Sequence, residues 1–417
     1  MTEKHDMAST FLPSSPSSAT TVHILGAGPV GLIMAALLQH SPGYDIRVYE
    51  KRRDYSRDRM VKLAPYLVAD SIDAYRSDPL DCDNVEAVFE PWELEEALAF
   101  RQGMAPGLRQ LLTGFTGGFS RLNDIEAQLS ALVDAGGASP VQRISTNLTV
   151  DDVHDLIGPD DLVIDCTGCK SLLRDHLVPE SDPAFSRGNT NHIRMEHAVV
   201  ATFVVDKRYE CNEYCKYYKN VDSPQYKFVP SVERTIYDEG ASYVTGVIRI
   251  SQREYDSMPA SCDGAWLSQH MPAVAQSMEQ FIGKVEAETG GSLTADADVI
   301  RIMLDLYRAY NATNRKWLQN SVGDHPFATS RVFLVGDSAI GSPYFQSISL
   351  GFECAMFLAG LLNQADYSAD DVLANYERLV YQQWLRVYMR TKQIKHNKDL
   401  FETIDDTFGL LEKLHIF

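Results

Sequence analysis

The sequence has no uninterrupted apolar run approaching the ~20 residues that a membrane-spanning helix needs, and its first 20 residues hold no apolar signal core. Integral membrane contact is therefore not expected. Basic charge is scarce: 38 Lys and Arg stand against 57 Asp and Glu, a formal charge of −19. A field of that sign repels nucleic acid and anionic lipid. Cysteine is also scarce, and seven of them scattered over 417 residues make no disulfide framework. They fit a reducing compartment, so the cytoplasm is the expected location. The chain has no G-x-x-x-x-G-K-[ST] loop and no G-x-S-x-G turn, which removes P-loop and serine-hydrolase chemistry. Its 11 histidines are scattered without a metal-binding motif.

What is present is an ordinary globular composition, 45% hydrophobic and 23% charged, with length enough for a large core or two coupled ones. Residues 1–20 are rich in Ser, Thr and Pro and predict a disordered leader. Val22-His23-Ile24-Leu25 predicts a short buried strand, Leu32 to Gln39 a helix and Ile46 to Tyr49 a second strand, which together form a βαβ unit. Helical periodicity runs from Val85 to Gly136, and Asp161 to Asp165 and Arg331 to Val335 read as further buried strands. Between them the pattern turns β-rich, as in Ala198 to Val205 and Tyr243 to Ile250, and Ala369 to His396 is helical. The expected organisation is a nucleotide-binding α/β domain from residues 21–185 and 311–372. It is interrupted by a β-rich substrate domain, 186–310, and followed by a C-terminal helical segment, 373–417.

Gly26-Ala27-Gly28-Pro29-Val30-Gly31 is a G-x-G-x-x-G turn set between the first strand and the helix. In this pattern Gly26 makes the tight turn, Gly28 lets the backbone approach a pyrophosphate, and Gly31 allows close helix–sheet packing. Glu50, at the end of the second strand, is placed to accept hydrogen bonds from an adenosine ribose. This fingerprint alone does not separate NAD from FAD, which share the ADP half.

Gly336-Asp337-Ser338, arriving after a strand and followed by Pro343 and Gly351, resembles the second FAD motif of the para-hydroxybenzoate hydroxylase-like flavin monooxygenases. The resemblance implies a Rossmann-type, glutathione reductase-like FAD domain in which Asp337 binds the ribityl chain. It also implies that Ser349-Leu350-Gly351 begin a helix whose positive end stabilises the anionic reduced flavin. Glu50-Lys51-Arg52, Tyr55-Ser56-Arg57 and Leu63-Ala64-Pro65-Tyr66 are similar to the flavin domain of the MICAL monooxygenases, as is Pro343-Tyr344-Phe345. That likeness places Glu50, Lys51, Arg52, Arg57 and Arg121 on the FAD. The turn Pro343-Tyr344-Phe345-Gln346 is the expected wall of the substrate pocket, its rings keeping it dry.

One departure stands in the middle motif: Asp165-Cys166-Thr167-Gly168-Cys169-Lys170-Ser171 carries Thr167 where the family has Asp. A nicotinamide-docking role attached to that Asp does not transfer. Cys166 and Cys169, with Cys211 and Cys215, offer four thiolates for zinc. The first pair lies in the flavin motif, and strand-end cysteines are usually small buried hydrophobes, so no metal is expected.

The activity implied is an FAD-dependent monooxygenase that uses NADPH or NADH and O2 to hydroxylate or epoxidise a small, electron-rich substrate through a flavin C4a-hydroperoxide. Such a substrate is aromatic or belongs to secondary metabolism. No protein nucleophile is required and no catalytic residue is assigned. The W-x-W-x-I-P signature of flavin halogenases is missing around Trp92, Trp266, Trp317 and Trp384. The β-rich segment lies outside the resemblance, so substrate identity does not transfer, and neither does the actin activity of MICAL proteins. Three alternatives stay open: an FAD-dependent dehydrogenase or reductase, an oxygenase fed by a flavin reductase partner, and a flavin-binding protein without turnover.

Overall fold

The computed structural model describes residues 19–55, 60–76, 91–117, 119–177, 187–209, 218–219, 227–236, 240–320, 326–342 and 347–413. The strands in chain order are β1 (Thr20–Leu25), β2 (Tyr44–Glu50), β3 (Met60–Lys62), β4 (Phe119–Arg121), β5 (Val141–Ser145), β6 (Leu162–Asp165) and β7 (Thr190–Val205). They continue with β8 (Tyr218–Lys219), β9 (Lys227–Ile236), β10 (Ala241–Ile250), β11 (Ser261–Cys262), β12 (Asp298–Ala309), β13 (Arg331–Leu334) and β14 (Ile340–Gly341). The helices that matter to the site are α1 (Pro29–Leu38), α2 (Pro91–Gln102), α3 (Leu122–Asp134), α4 (Pro272–Thr289), α5 (Ser347–Leu362) and α6 (Ala369–Lys413).

A five-stranded parallel sheet has the order β13-β6-β1-β2-β5. Its central strands are apolar because both faces are covered: Val22, Ile24, Val163, Ile164, Val332 and Phe333 are all buried. Helix α1 starts with Pro29 at its first position and is buried nearly all round, from Gly31 to Ala36 and at Leu38. It lies between the sheet and α5, whose residues Ile348 to Ala359 are likewise buried. This two-sided burial explains why both helices are apolar rather than amphipathic.

The second sheet runs β11-β12-β7-β10-β9-β8, with β14 against the end of β12. Its ladders are antiparallel, and along β7 the residues Val199, Ala201, Phe203 and Val205 point to one face. That face packs against Val274, Met278, Phe281, Ile282 and Val285 of α4, forming a second core. The segment between residues 186 and 310 is therefore not only strands. Pro272 at the first helical position and Gly290 in the left-handed region at its end delimit an 18-residue helix that the β-rich pattern overlooked. The opposite face turns to the parallel sheet's side, where Ile193 and Leu306 join the first core.

Two buried asparagines tie the crossovers between the sheets. Asn189 donates to the carbonyls of Arg174, at 2.8 Å, and Asn311, at 3.0 Å, and accepts from the Asn311 N–H at 2.9 Å. Each partner lies where the chain passes from one sheet to the other, so the junction is satisfied in hydrogen bonds from both directions.

His23 sits in the middle of β1, 1% exposed, between the Tyr49 hydroxyl at 3.0 Å and the Asp161 carboxylate at 3.2 Å. Burial lowers its pKa below the ordinary 6.5 and outweighs the raising effect of Asp161. The folded protein thus holds this imidazole neutral, while the unfolded chain takes up its proton first. Stability from this site is complete above pH ~6.5 and declines as the pH falls below it. Denaturant titrations are expected to show a shallower loss below pH 6.5 in His23→Phe than in the parent chain; parallel curves would mean His23 does not contribute.

Candidate functional site

Three turns meet at the carboxyl ends of β1, β6 and β13, where ligands bind in open parallel sheets. The strands hand on to them in register: Gly26 N–H donates to Tyr49 O at 2.8 Å, Cys166 N–H to Leu25 O at 2.8 Å, and Val335 N–H to Asp165 O at 2.9 Å. Gly26 has φ +93°, and a Cβ there would sit 2.9 Å from the Cys166 carbonyl oxygen. At Gly31 a Cβ would lie 1.8 Å from the Gly26 carbonyl oxygen, so α1 can lie against the turn only because residue 31 has no side chain. Gly28 is the N-cap, in extended backbone, with no side-chain cap and no acidic residue in the first turn of α1. The helix start therefore keeps its N–H donors and positive end available for an anion.

The second glycine motif is packed directly against the first. Gly336 has φ +67°, and a Cβ there would touch both Val30 methyls at 3.1 Å. A Cβ at Gly351, in the second turn of α5, would lie 2.7 Å from the same Val30. The Val30 side chain fills the notch that these two glycines leave, so the turn after β1, the turn after β13 and the start of α5 form one continuous surface.

Around that surface the charged groups are held in fixed directions. Glu50 accepts from Ala27 N–H at 2.9 Å and from Arg52 N–H at 2.9 Å and Arg52 Nε at 3.0 Å. Burial pushes its carboxyl up, but Arg52 and the two backbone donors outweigh this and hold it below the usual carboxylate range. Arg52 also lies 3.6 Å from the buried Glu126, while Lys51 is exposed. Arg121 is the N-cap of α3, and its guanidinium lies 5.6 Å from the ring centre of Tyr243 in the second sheet. Asp337 Oδ1 accepts from the Ser347 hydroxyl.

The helix expected from Ser349 is described from Ser347 onward. The Ser347 hydroxyl donates to Asp337. Ser349 is buried and accepts from Ala64 N–H at 2.9 Å, and Leu350 is 2% exposed in the core. Residues Arg57, Pro343, Tyr344, Phe345 and Gln346 lie outside the described residues, as do Cys211, Cys215 and the leader up to residue 18. Cys166 is buried, its thiol pushed up by burial, and Cys169 is exposed.

Asp165, to which the sequence gave no role, is the hub of the middle motif. Its Oδ1 accepts from Thr167 N–H at 2.8 Å, Thr167 Oγ1 at 2.5 Å and Ser338 Oγ at 3.1 Å; its Oδ2 accepts from Ser171 Oγ at 2.6 Å and Leu173 N–H at 2.9 Å. One carboxylate thus fixes the loop after β6 to the turn after β13. Thr167, itself exposed, bends its hydroxyl back to that carboxylate and presents no carboxylate where the resembling family has Asp. Arg174 completes the clamp by donating to Ser338 O at 3.2 Å and Cys169 O at 2.8 Å.

Residues 24–57 match a family model described as an NAD(P)-binding Rossmann-like domain. No curated protein matches the chain by sequence. Among solved structures the chain is similar to CabE, an aromatic hydroxylase from angucycline biosynthesis, with a TM-score of 0.51 at 15% identity over 94% of this chain and 73% of that one. The tetracycline destructase Tet(51) gives a TM-score of 0.49 at 12% identity, covering 96% of this chain and 98% of that one. For 2-methyl-3-hydroxypyridine-5-carboxylic acid oxygenase the TM-score is 0.49 at 13% identity, covering 91% and 93%. Among the described residues no helix is long and apolar enough to cross a membrane. The chain has the fold of the CabE hydroxylase: a parallel Rossmann-like sheet, a separate antiparallel sheet domain and C-terminal helices.

Proposed function

We propose that this chain is an FAD-dependent monooxygenase that uses NADPH or NADH and O2 to oxygenate a small, electron-rich substrate. The observation that carries the reading is the convergence of Gly26–Gly31, Gly336–Ser338 and the start of α5 on one surface, with Val30 seated between Gly336 and Gly351. Two helix starts, neither with an acidic residue in its first turn, then serve one ligand. That donor set suits a molecule with a pyrophosphate at one end and a ring that gains negative charge at the other.

In this reading Gly28 and the first N–H groups of α1 hold the pyrophosphate, and Glu50 accepts from the adenosine ribose. Asp337, oriented by Ser347, accepts from the ribityl hydroxyls. Arg121, with Lys51 and Arg52, adds positive charge along the same path. The start of α5 stabilises negative charge on the ring. FAD, when bound, supplies the redox chemistry that activates O2. The inner face of the second sheet, reached by Arg121 at Tyr243, covers the substrate. Thr167, which stands where the resembling family has Asp and gives its hydroxyl to Asp165, favours a second reading, an oxygenase whose reduced flavin comes from a partner reductase.

The test is reconstitution with FAD followed by visible absorption, bleaching with NADH or NADPH, and oxygen uptake with aromatic substrates. A single-component enzyme bleaches slowly alone and faster with substrate, whereas a reductase-fed one bleaches only when a reductase is added. A protein that takes up no FAD sinks the proposal. Asp337→Ala is expected to bind FAD about 10- to 100-fold more weakly while remaining folded, because a charged hydrogen-bond acceptor is lost. Flavin occupancy equal to that of the parent chain would remove Asp337 from the site.

A further inference from the structure

We propose that Tyr307, on the second sheet, is a positioning residue that sets the Asp337 turn and so couples that sheet to the cofactor; this rests on the flavin reading above. Tyr307 is 8% exposed near the end of β12, and its hydroxyl donates to the Asp337 main-chain carbonyl at 2.6 Å. That bond fixes the peptide plane following Asp337, and with it the direction of the Asp337 side chain.

The ring itself is held on all sides. It packs against Gly341, where a Cβ would come 1.9 Å from the ring, and Gly341 is also the backbone partner of Tyr307 in the β12–β14 ladder. The Arg174 guanidinium sits 5.2 Å from the ring centre while reaching the Ser338 carbonyl at 3.2 Å. On the third side His192, opposite Tyr307 in the β7–β12 register, has its ring 5.3 Å away and is held by Asp305 at 2.7 Å. A register shift between Leu304 and Asp305 precedes this group, and such bulges re-aim side chains beside functional sites. Burial, and then the charge of Asp337, raise the phenol's pKa, so the hydroxyl stays a donor throughout the physiological range.

The consequence is a mechanical link. Arg174 also reaches the Asp337 carbonyl, at 3.4 Å, a long contact, so Tyr307 supplies the shorter of the two. Any shift of β12 or β7 on substrate binding moves the phenol and therefore the ribityl-binding carboxylate. By linkage, FAD binding must order β12 in return.

Tyr307→Phe keeps the ring on Gly341 and removes only the hydroxyl. It is expected to weaken FAD binding about tenfold and to shift the visible bands of the bound flavin. Amide hydrogen exchange in β12 should be slowed by FAD in the parent chain and less so in the variant. Tyr381→Phe, a change at an exposed ring on α6, is expected to alter none of these readings. If the parent chain binds FAD and Tyr307→Phe matches it in affinity, spectrum and exchange, the coupling is refuted while the flavin reading stands. If the parent chain binds no FAD, both fall together.

Discussion

Glu353→Ala is expected to cost about 3–5 kcal/mol of folding stability, the usual penalty for breaking a buried ion pair by removing one partner. Glu353 lies in α5 with no exposure, and three elements converge on it. Arg101 of α2 and the Tyr75 hydroxyl, at 2.6 Å, donate to Oε1, and Arg386 of α6 donates to Oε2 at 2.8 Å. Arg386 also reaches the Tyr75 oxygen at 2.7 Å, and Arg101 donates to the carbonyls of Tyr66 and Ala97 at 2.9 and 2.7 Å. Deleting the carboxylate takes this counter-charge away from two buried guanidinium groups, and neither can shed its proton. Burial pushes the Glu353 carboxyl up, but Arg386 and Arg101 outweigh it and hold it below its usual range. The acid therefore stays ionised in the fold, and its contribution is present above the ordinary carboxylate range and lost as the pH falls below it. Urea denaturation at neutral pH should show the loss directly. A change under ~1 kcal/mol would mean that the three helices are held by their apolar contacts alone, which are extensive around Phe357 and Leu358.

This node also shows which parts of the molecule could be read from the chain. The turn after β1 was legible because strand, glycines and helix are adjacent in sequence, and local sterics dictate each glycine. The turn after β13 was legible as a resemblance, but the contact of Ser347 with Asp337 was not, because no periodicity encodes it. Asp165 stood in plain view, but its role depends on Ser338, far along the chain, so the motif looked like a departure at Thr167 rather than a rebuilt hub. Glu353 did carry a signal: it is the single charge in the apolar helix SISLGFECAMFLAGLL, and a charge so placed demands a buried partner. Its partners could not be named, because Tyr75, Arg101 and Arg386 come from three separate elements. Tyr307 was hidden for a related reason: β12 reads as an ordinary strand, and the importance of one ring on it comes from the turn it touches.

The two glycines of the first turn should separate binding from folding. At Gly28 the backbone has φ −70° and ψ −176°, a conformation open to any residue, so Gly28→Val should fold as the parent chain does. The added side chain would stand where the pyrophosphate must approach, and FAD affinity is expected to fall by about 100-fold or more, equivalent to ~3 kcal/mol. Gly31→Ala should act on the fold instead. Its Cβ would come 1.8 Å from the Gly26 carbonyl oxygen, and no rotamer relieves a clash at Cβ, so α1 must move off the turn. That displacement should cost at least the ~1–3 kcal/mol typical of overpacking and should weaken FAD as a secondary effect. Thermal melting and flavin titration of both variants give the comparison. A Gly28→Val protein that keeps its affinity would mean the phosphate lies elsewhere. A Gly31→Ala protein that melts with the parent chain would mean the turn can open without loss, in which case the contact of Val30 with Gly336 and Gly351, rather than the α1 start, defines the cofactor surface.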